Sequence, residues 1–124
     1  FCYGHRLLDY DGKCRFLHGH NGKAIIVLEG DSLDHRGMLM DFSDIKRSIA
    51  GWIDATLDHR MILNERDPVV DYLRRMNEPI LTVPENPTAE NIARMIYRYA
   101  REQRFPVVEV SLWETTHAYA TYSE

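Results

Sequence analysis

The chain has 124 residues, of which 44% are hydrophobic and 27% charged, and its formal net charge at pH 7 is −4. A chain of this length suits one core, so we expect residues 1–124 to form a single domain. The negative charge and the lack of a basic stripe argue against nucleic acid as the main partner. No apolar run approaches the roughly 20 residues that cross a bilayer. With only two cysteines, we predict no disulfide framework and a cytoplasmic protein that acts on a small molecule.

The N-terminal third predicts two strands. Residues 1–8 indicate the end of one strand, and an Asp- and Gly-containing turn follows it. Residues 20–30 alternate as a second strand, with Ala24, Ile26 and Leu28 on one face and Ile25 and Val27 on the other.

The middle of the chain predicts helices. Apolar residues recur at helical spacing over residues 43–55, with Ser43 as the expected N-cap. Residues 69–76 predict a short additional helix after a proline. Thr88 is then a suitable N-cap for a helix that ends near Gln103.

Two strands end the chain. Residues 107–113 alternate, and we expect Val108, Val110 and Leu112 on the core face. Residues 118–123 predict a last, short strand. The order strand, strand, helix, helix, strand, strand predicts an α+β fold with the helices packed on one face of a sheet.

Three histidines form the first candidate site. His18 and His20 are two residues apart, so on a strand both imidazoles point to one face. His5, on a neighbouring strand, would complete a three-nitrogen zinc site whose fourth position is open, as in catalytic zinc centres. The alternative is that His18 and His20 are exposed polar residues and that His5 is a hydrogen-bonded core residue.

Cys14 is the second candidate. It lies between Lys13 and Arg15 in a glycine-containing loop. Nearby cations and a divalent metal would favour the thiolate. The alternative is a small buried hydrophobic residue, which is our interpretation of Cys2.

Three further residues carry acid–base potential. Asp58 and His59 are adjacent in a segment that we expect to be irregular, where the carboxylate could fix the imidazole tautomer for proton transfer; surface polarity is the alternative. Glu114 follows Leu112 in phase, so an acid ends an apolar face. A buried carboxylate there requires a partner, such as a ligand with amino or amidine-like donors, unless the strand has already reached solvent.

Six short motifs occur together in one order. They are G-H-R-L around His5, C-R-F-L-H-G-H from Cys14 to His20, M-L-M-D-F at 38–42, L-D-H at 57–59, P-T-A-E-N at 87–91 and W-E-T at 113–115. In this set and order the chain resembles the 6-pyruvoyltetrahydropterin synthase / 6-carboxytetrahydropterin synthase family. The resemblance spans nearly the whole chain.

The resemblance implies the tunnelling fold (T-fold), a four-stranded antiparallel sheet with two main helices between the second and third strands. It also implies a homo-oligomer, a trimer or hexamer, with active sites at subunit interfaces. By motif position zinc is the cofactor and its ligands are His5, His18 and His20.

The resemblance also assigns roles to the other candidates. Cys14 becomes the base that abstracts a proton, with Asp58 and His59 as its relay. Glu114 anchors a pterin ring. The remaining two positions, Thr88 and Glu90, are implied pocket residues.

The implied substrate is 7,8-dihydroneopterin triphosphate. Three residues separate Cys14 from the His-Gly-His unit, which resembles the bacterial branch that makes 6-carboxy-5,6,7,8-tetrahydropterin with loss of acetaldehyde and triphosphate, a step of queuosine-type deazapurine biosynthesis. The alternatives are the pyruvoyl branch, which retains the side chain, a non-catalytic zinc- or pterin-binding relative, and a His-ligated zinc hydrolase. One departure is the long connection over residues 64–85, which we expect to cap the pocket or to change an oligomer contact.

Overall fold

The computed structural model describes residues 1–124, and its first sheet contains four strands in the order β2-β1-β4-β5. These strands are β1 (Cys2–His5), β2 (His18–Asn21), β4 (Arg60–Asn64) and β5 (Ile80–Val83). Strands β1 and β2 are antiparallel, whereas β1 with β4 and β4 with β5 are parallel. The first sheet is therefore mixed.

The second sheet is antiparallel and has the order β3-β6-β7. It consists of β3 (Lys23–Leu28), β6 (Val107–Trp113) and β7 (Tyr119–Ser123). A single residue, Gly22, separates β2 from β3, and its N–H donates to the carbonyl of Phe1 at 2.7 Å. The predicted second strand thus bends at Gly22 and contributes to both sheets.

The helical elements lie between β3 and β6. The first helical segment comprises α1 (Phe42–Ile45), a π-helical turn (Lys46–Ala50) and α2 (Gly51–Thr56). Two further helices follow, α3 (Val69–Arg75) and α4 (Ala89–Glu102). No helix has both the length and the apolar character that crossing a membrane requires.

The α+β fold class and the insertion of helices between the second and third predicted strands are confirmed. Two details were wrong. The four predicted strands do not form one antiparallel sheet, and β4 and β5 were not predicted as strands. Parallel strands that are covered on both sides show continuous apolar runs rather than alternation, and β4 contains such a run in Met61, Ile62 and Leu63.

Helix capping agrees with the sequence at one helix and differs at the other. The hydroxyl of Thr88 accepts from the N–H of Asn91 at 3.3 Å, so Thr88 caps α4 as predicted. The N-cap of α1 is Asp41 and not Ser43, because the Asp41 carboxylate accepts from both the backbone N–H and the hydroxyl of Ser43, at 2.8 and 2.7 Å. Both residue types are good caps, and the observed cap lies two residues before the predicted one.

The core lies between the helices and the inner faces of the sheets. Its fully buried side chains include Ile49, Leu57, Ile62, Ile92, Ile96, Val107, Val110 and Leu112. A register shift between Val27 and Leu28 against β6 changes which side chain faces inward at the start of β6. Val107 is therefore 1% exposed and takes the core position that the alternation predicts for Val108. A β-bulge has this effect because it shifts the side-chain phase of one strand by one residue.

The long connection over residues 64–85 forms α3 and β5, and a buried ion pair ties it to the end of β1. The guanidinium of Arg6 binds both carboxylate oxygens of Asp67, with Nε to Oδ2 at 2.6 Å. Asp67 is 3% exposed and also accepts from the N–H of Val69. The bond from Arg6 is the main cause that holds the pKa of Asp67 below its usual range.

We predict that Asp67→Asn lowers the free energy of unfolding at neutral pH by about 1–3 kcal/mol, since it leaves Arg6 without its charged partner. Because the folded-state pKa of Asp67 is lowered, this stabilisation is fully present above the unfolded-state pKa of about 4 and is lost as pH falls through the folded-state value. Thermal unfolding of both proteins should therefore show a difference that shrinks on acidification. Asp71→Asn, at an exposed position of α3, is the control, and an Asp67→Asn deficit that is equal at neutral and acidic pH would contradict the prediction.

Candidate metal centre

The register of β1 and β2 places three imidazoles on one face of the first sheet. His5 pairs with His18 across the two strands, and Tyr3 pairs with His20. One ligand nitrogen from each of His5, His18 and His20 lies within 4.8 Å of the other two. The structure therefore brings together the three histidines that the sequence singled out, in an arrangement that could hold a metal ion.

Backbone carbonyls orient two of the three rings. His5 Nδ1 donates to the carbonyl of Pro87 at 2.7 Å, and His18 Nδ1 donates to the carbonyl of Phe16 at 2.7 Å. A carbonyl only accepts, so each Nδ1 carries the hydrogen and each Nε2 presents a lone pair. Such outer partners fix the tautomer of metal-binding histidines.

One of the converging Nε2 atoms lacks the partner that a buried polar atom normally has. His18 Nε2 is buried and makes no hydrogen bond, whereas His5 Nε2 and His20 Nε2 are hydrogen-bonded to each other at 3.1 Å. Burial is the main cause that lowers the pKa of His5, which favours the neutral imidazole. Three imidazoles with converging Nε2 atoms, one of them buried without a partner, fit a metal of the zinc, copper, iron or nickel type, so the residues present suit the implied cofactor.

A carboxylate lies next to the three imidazoles. Glu114 Oε1 is 3.7 Å from His5 Nε2, and Oε2 is 3.8 Å from His20 Nε2. The hydroxyl of Tyr3 donates to Glu114 Oε1 at 2.7 Å. Burial first, and then this bond to Glu114, raises the pKa of Tyr3. Glu114 also borders a depression of about 540 Å³ together with Lys23 and Trp113, which is within the size range of small-molecule sites.

Asp58 and His59 form a hydrogen-bonded pair outside the group of three converging imidazoles. Asp58 Oδ2 accepts from His59 Nδ1 at 2.6 Å, and Oδ1 accepts from the N–H of Cys2 at 2.8 Å. The bond from Cys2 and then that from His59 lower the pKa of Asp58. The His59 side chain is 78% exposed. It borders a depression of about 500 Å³ whose lining also includes His18 and His20.

Cys14 lies in a 3₁₀ turn, Lys13–Arg15, and is a half-buried free thiol. The N–H of Leu7 donates to its carbonyl at 2.9 Å, which ties the turn to the segment that follows β1. Its sulfur is not part of the group of converging ligand atoms. Two residues later the chain reaches Phe16, whose carbonyl orients His18.

Thr88 and Glu90 make no hydrogen bond or ion pair with the three imidazoles. Thr88 caps α4, and Glu90 is exposed in the first turn of that helix. Their segment supports the site in another way. Asn86 forms two hydrogen bonds with the backbone of Leu8, each 2.8 Å long, and the neighbouring Pro87 carbonyl orients His5.

Sequence reasoning missed Tyr3, Asn86 and Pro87. For Tyr3 a signal exists, since it lies two residues before His5 and strand alternation puts it on the same face. The roles of Asn86 and Pro87 depend on contacts with residues about eighty positions away. No local pattern encodes such contacts.

Two comparisons with known sequences give concordant results. The family model for 6-pyruvoyl tetrahydropterin synthase matches residues 1–124. A Haemophilus influenzae protein named 6-carboxy-5,6,7,8-tetrahydropterin synthase is 35% identical over 132 residues, covering 100% of this chain and 94% of the relative. A Rickettsia bellii protein of the same name is 32% identical, covering 96% of this chain and 91% of the relative.

Solved structures share the fold. An uncharacterized protein from Wolinella succinogenes superposes with a TM-score of 0.81 at 26% identity, covering 100% of this chain and 93% of that one. The 6-pyruvoyl tetrahydropterin synthase of Caenorhabditis elegans gives a TM-score of 0.72 at 24% identity, covering 100% and 89%. At that identity the second likeness concerns the fold alone.

We predict that a divalent ion bound to this chain is released progressively as pH falls below about 6, because the imidazoles must be neutral to bind. Since burial lowers the pKa of His5, that ring stays neutral to a lower pH than a free imidazole. Equilibrium dialysis with elemental analysis measures the bound metal at each pH.

The matched controls for this experiment are two alanine variants. His18→Ala should lose the metal at neutral pH, whereas His35→Ala, at an exposed position outside the cluster, should retain it. Undiminished metal at a pH of about 4, well below the imidazole pKa, would contradict a three-imidazole centre.

Proposed function

The chain belongs to the 6-pyruvoyl tetrahydropterin synthase family, and on that premise we propose that it is a zinc-dependent lyase acting on 7,8-dihydroneopterin triphosphate. With one water the substrate gives 6-carboxy-5,6,7,8-tetrahydropterin, acetaldehyde and triphosphate. The observation that carries the proposal is the convergence of His5, His18 and His20, with His18 Nε2 buried and unpaired, beside the Glu114 carboxylate. The bacterial relatives named for this product support the carboxy branch.

The three imidazoles hold the metal, and Glu114 binds the pterin. Zinc bound to the three nitrogens would act as a Lewis acid on the side-chain oxygens of the substrate and make the adjacent C–H more acidic. Glu114 Oε2 makes no hydrogen bond within the chain and can accept from the amino and ring N–H donors of a pterin. A hydrogen bond to an ionised carboxylate is roughly twice as strong as one between neutral groups, so this contact would anchor the ring.

Cys14 is the proposed base, and the Asp58–His59 pair is the proposed relay. A thiolate in the turn that precedes β2 would remove the proton from the substrate side chain. His59, held by Asp58 at 2.6 Å, would give or receive protons at the oxygen-bearing carbons. Positioned acid–base groups of this kind contribute about 10²–10⁴-fold in rate.

We propose that the complete site forms between subunits of a homo-oligomer. Within one subunit His59 is 78% exposed and is not among the converging ligand atoms. Next to the site, Phe16 and Leu17 are 58% and 42% exposed, although apolar side chains of this size favour contact with another surface. A neighbouring subunit that covers them would supply the Asp58–His59 pair. Both thiols are free, which accords with a cytoplasmic protein whose product would enter queuosine-type deazapurine synthesis.

Cys14→Ala should retain zinc and pterin binding but lose acetaldehyde release by at least about 10²-fold, because the proton-abstracting group is absent. Acetaldehyde is measured by a coupled alcohol dehydrogenase assay on zinc-loaded protein with 7,8-dihydroneopterin triphosphate. Normal turnover by the variant would exclude Cys14 as the base. Triphosphate release by the unmodified protein without acetaldehyde would instead indicate the pyruvoyl product.

Subunit complementation tests the shared site. Cys14→Ala and His59→Ala should each be inactive alone, whereas mixed oligomers regain part of the activity, since some sites then combine an intact Cys14 with an intact His59 from a neighbour. The two variants carry different affinity tags, and sequential purification isolates mixed oligomers. Mixed oligomers that stay inactive would show that each site takes both residues from one subunit.

A further inference from the structure

Tyr3 is a buried hydroxyl at the edge of the metal centre, and we propose that it is the positioning residue that fixes Glu114 for the pterin. The inference rests on the proposed function and deepens it. In this arrangement the Tyr3 hydroxyl donates a hydrogen bond to Glu114 Oε1, and Oε2 remains available to accept one from the ligand. Tyr3 does not touch the reacting atoms but acts through Glu114.

The position of Tyr3 follows from strand geometry. It lies on β1 two residues before His5, so both side chains point to the same face, and it pairs with His20 on β2. Tyr3 is 3% exposed. Its hydroxyl donates to Glu114 Oε1 at 2.7 Å, although Glu114 lies more than one hundred positions later in the chain. A short bond between a buried donor and a carboxylate is stronger than a neutral hydrogen bond.

Several groups fix the ring that carries this hydroxyl. Phe1 stacks on it at 5.4 Å between ring centroids, and the rings of His5 and His20 lie at 5.3 and 5.8 Å. Gly22 leaves the remaining room, because a Cβ atom there would lie 2.8 Å from Tyr3 Cε1. The hydroxyl therefore has little freedom, as a positioning residue requires.

The two oxygens of Glu114 are in different environments. Oε1 accepts from Tyr3, whereas Oε2 has no hydrogen-bond donor and lies 3.8 Å from His20 Nε2. Without Tyr3 the carboxylate would be free to rotate about its side-chain torsions. The Tyr3 bond thus keeps the carboxylate in one orientation and leaves Oε2 available to accept from the ligand.

The test is calorimetric binding of 7,8-dihydroneopterin, the proposed substrate without its triphosphate, to the zinc-loaded oligomer. Tyr3→Phe keeps the ring and removes only the hydroxyl, and we expect its Kd to rise about 10- to 100-fold, the effect of losing a hydrogen bond to a charged group. The zinc affinity should stay unchanged. With the triphosphate substrate KM should rise while kcat changes little. This pattern is expected when a mutation removes an interaction that stabilises the ground state and the transition state equally.

Two further variants separate positioning from general packing. Tyr97→Phe removes the hydroxyl of an equally buried tyrosine, 3% exposed, on α4 and should bind the pterin as the unmodified protein does. Glu114→Gln should itself weaken binding, and Tyr3→Phe should cause no further loss in that background, because Tyr3 acts through Glu114.

The outcomes are distinguishable. If the unmodified protein does not bind 7,8-dihydroneopterin, the proposed function fails. If the unmodified protein binds it and Tyr3→Phe binds equally well, the positioning role is excluded. A loss caused by Tyr3→Phe that is just as large in the Glu114→Gln background would also exclude it, since Tyr3 would then act by another route.

Discussion

The antiparallel register between β1 and β2 is the constraint on which the rest of the site depends. It sets His5 opposite His18 and Tyr3 opposite His20, so that four rings from two short strands share one face. Side chains alternate along a strand, and a slip of one residue would turn the His18 and His20 rings to the opposite face. Gly22 ends β2 directly after this pairing and lets the chain turn into the second sheet, where β6 delivers Glu114 to the same place.

Burial gives these polar groups their chemical character. An imidazole that is withdrawn from water favours its neutral form, and the carbonyls of Pro87 and Phe16 direct the hydrogen to Nδ1. The Nε2 atoms then converge, and that of His18 has no hydrogen-bond partner. An unpaired buried acceptor costs free energy in the isolated fold, and a metal ion that accepts its lone pair would remove that cost. The same desolvation makes the contact between Tyr3 and Glu114 a short, charge-assisted bond.

Hydrogen bonds and ion pairs from segments distant in sequence stabilise the site, although the strands that carry its histidines are short. The connection over residues 64–85 adds β5 to the first sheet and also forms α3. The ion pair between Arg6 and the buried Asp67 links this connection to the segment immediately after His5. Asn86 clamps the backbone of Leu8. The Asp58–His59 pair, in contrast, is exposed beside the same sheet. Such exposure is what the proposed site between subunits requires of this pair.

The sequence by itself determined the α+β class, the position of most helices, the Thr88 cap and the grouping of His5, His18 and His20, because these follow from local periodicity and short spacing. Tertiary structure decided the rest. Strand β4 pairs with the edge of β1, and β5 pairs with β4. Val107 takes the core position predicted for Val108 because of a bulge against β3. Asp41 and not Ser43 caps α1, because its carboxylate accepts from the N–H of Ser43. The contacts of Tyr3 with Glu114 and of Pro87 with His5 join residues that no local pattern relates, since only packing brings such positions within hydrogen-bond distance.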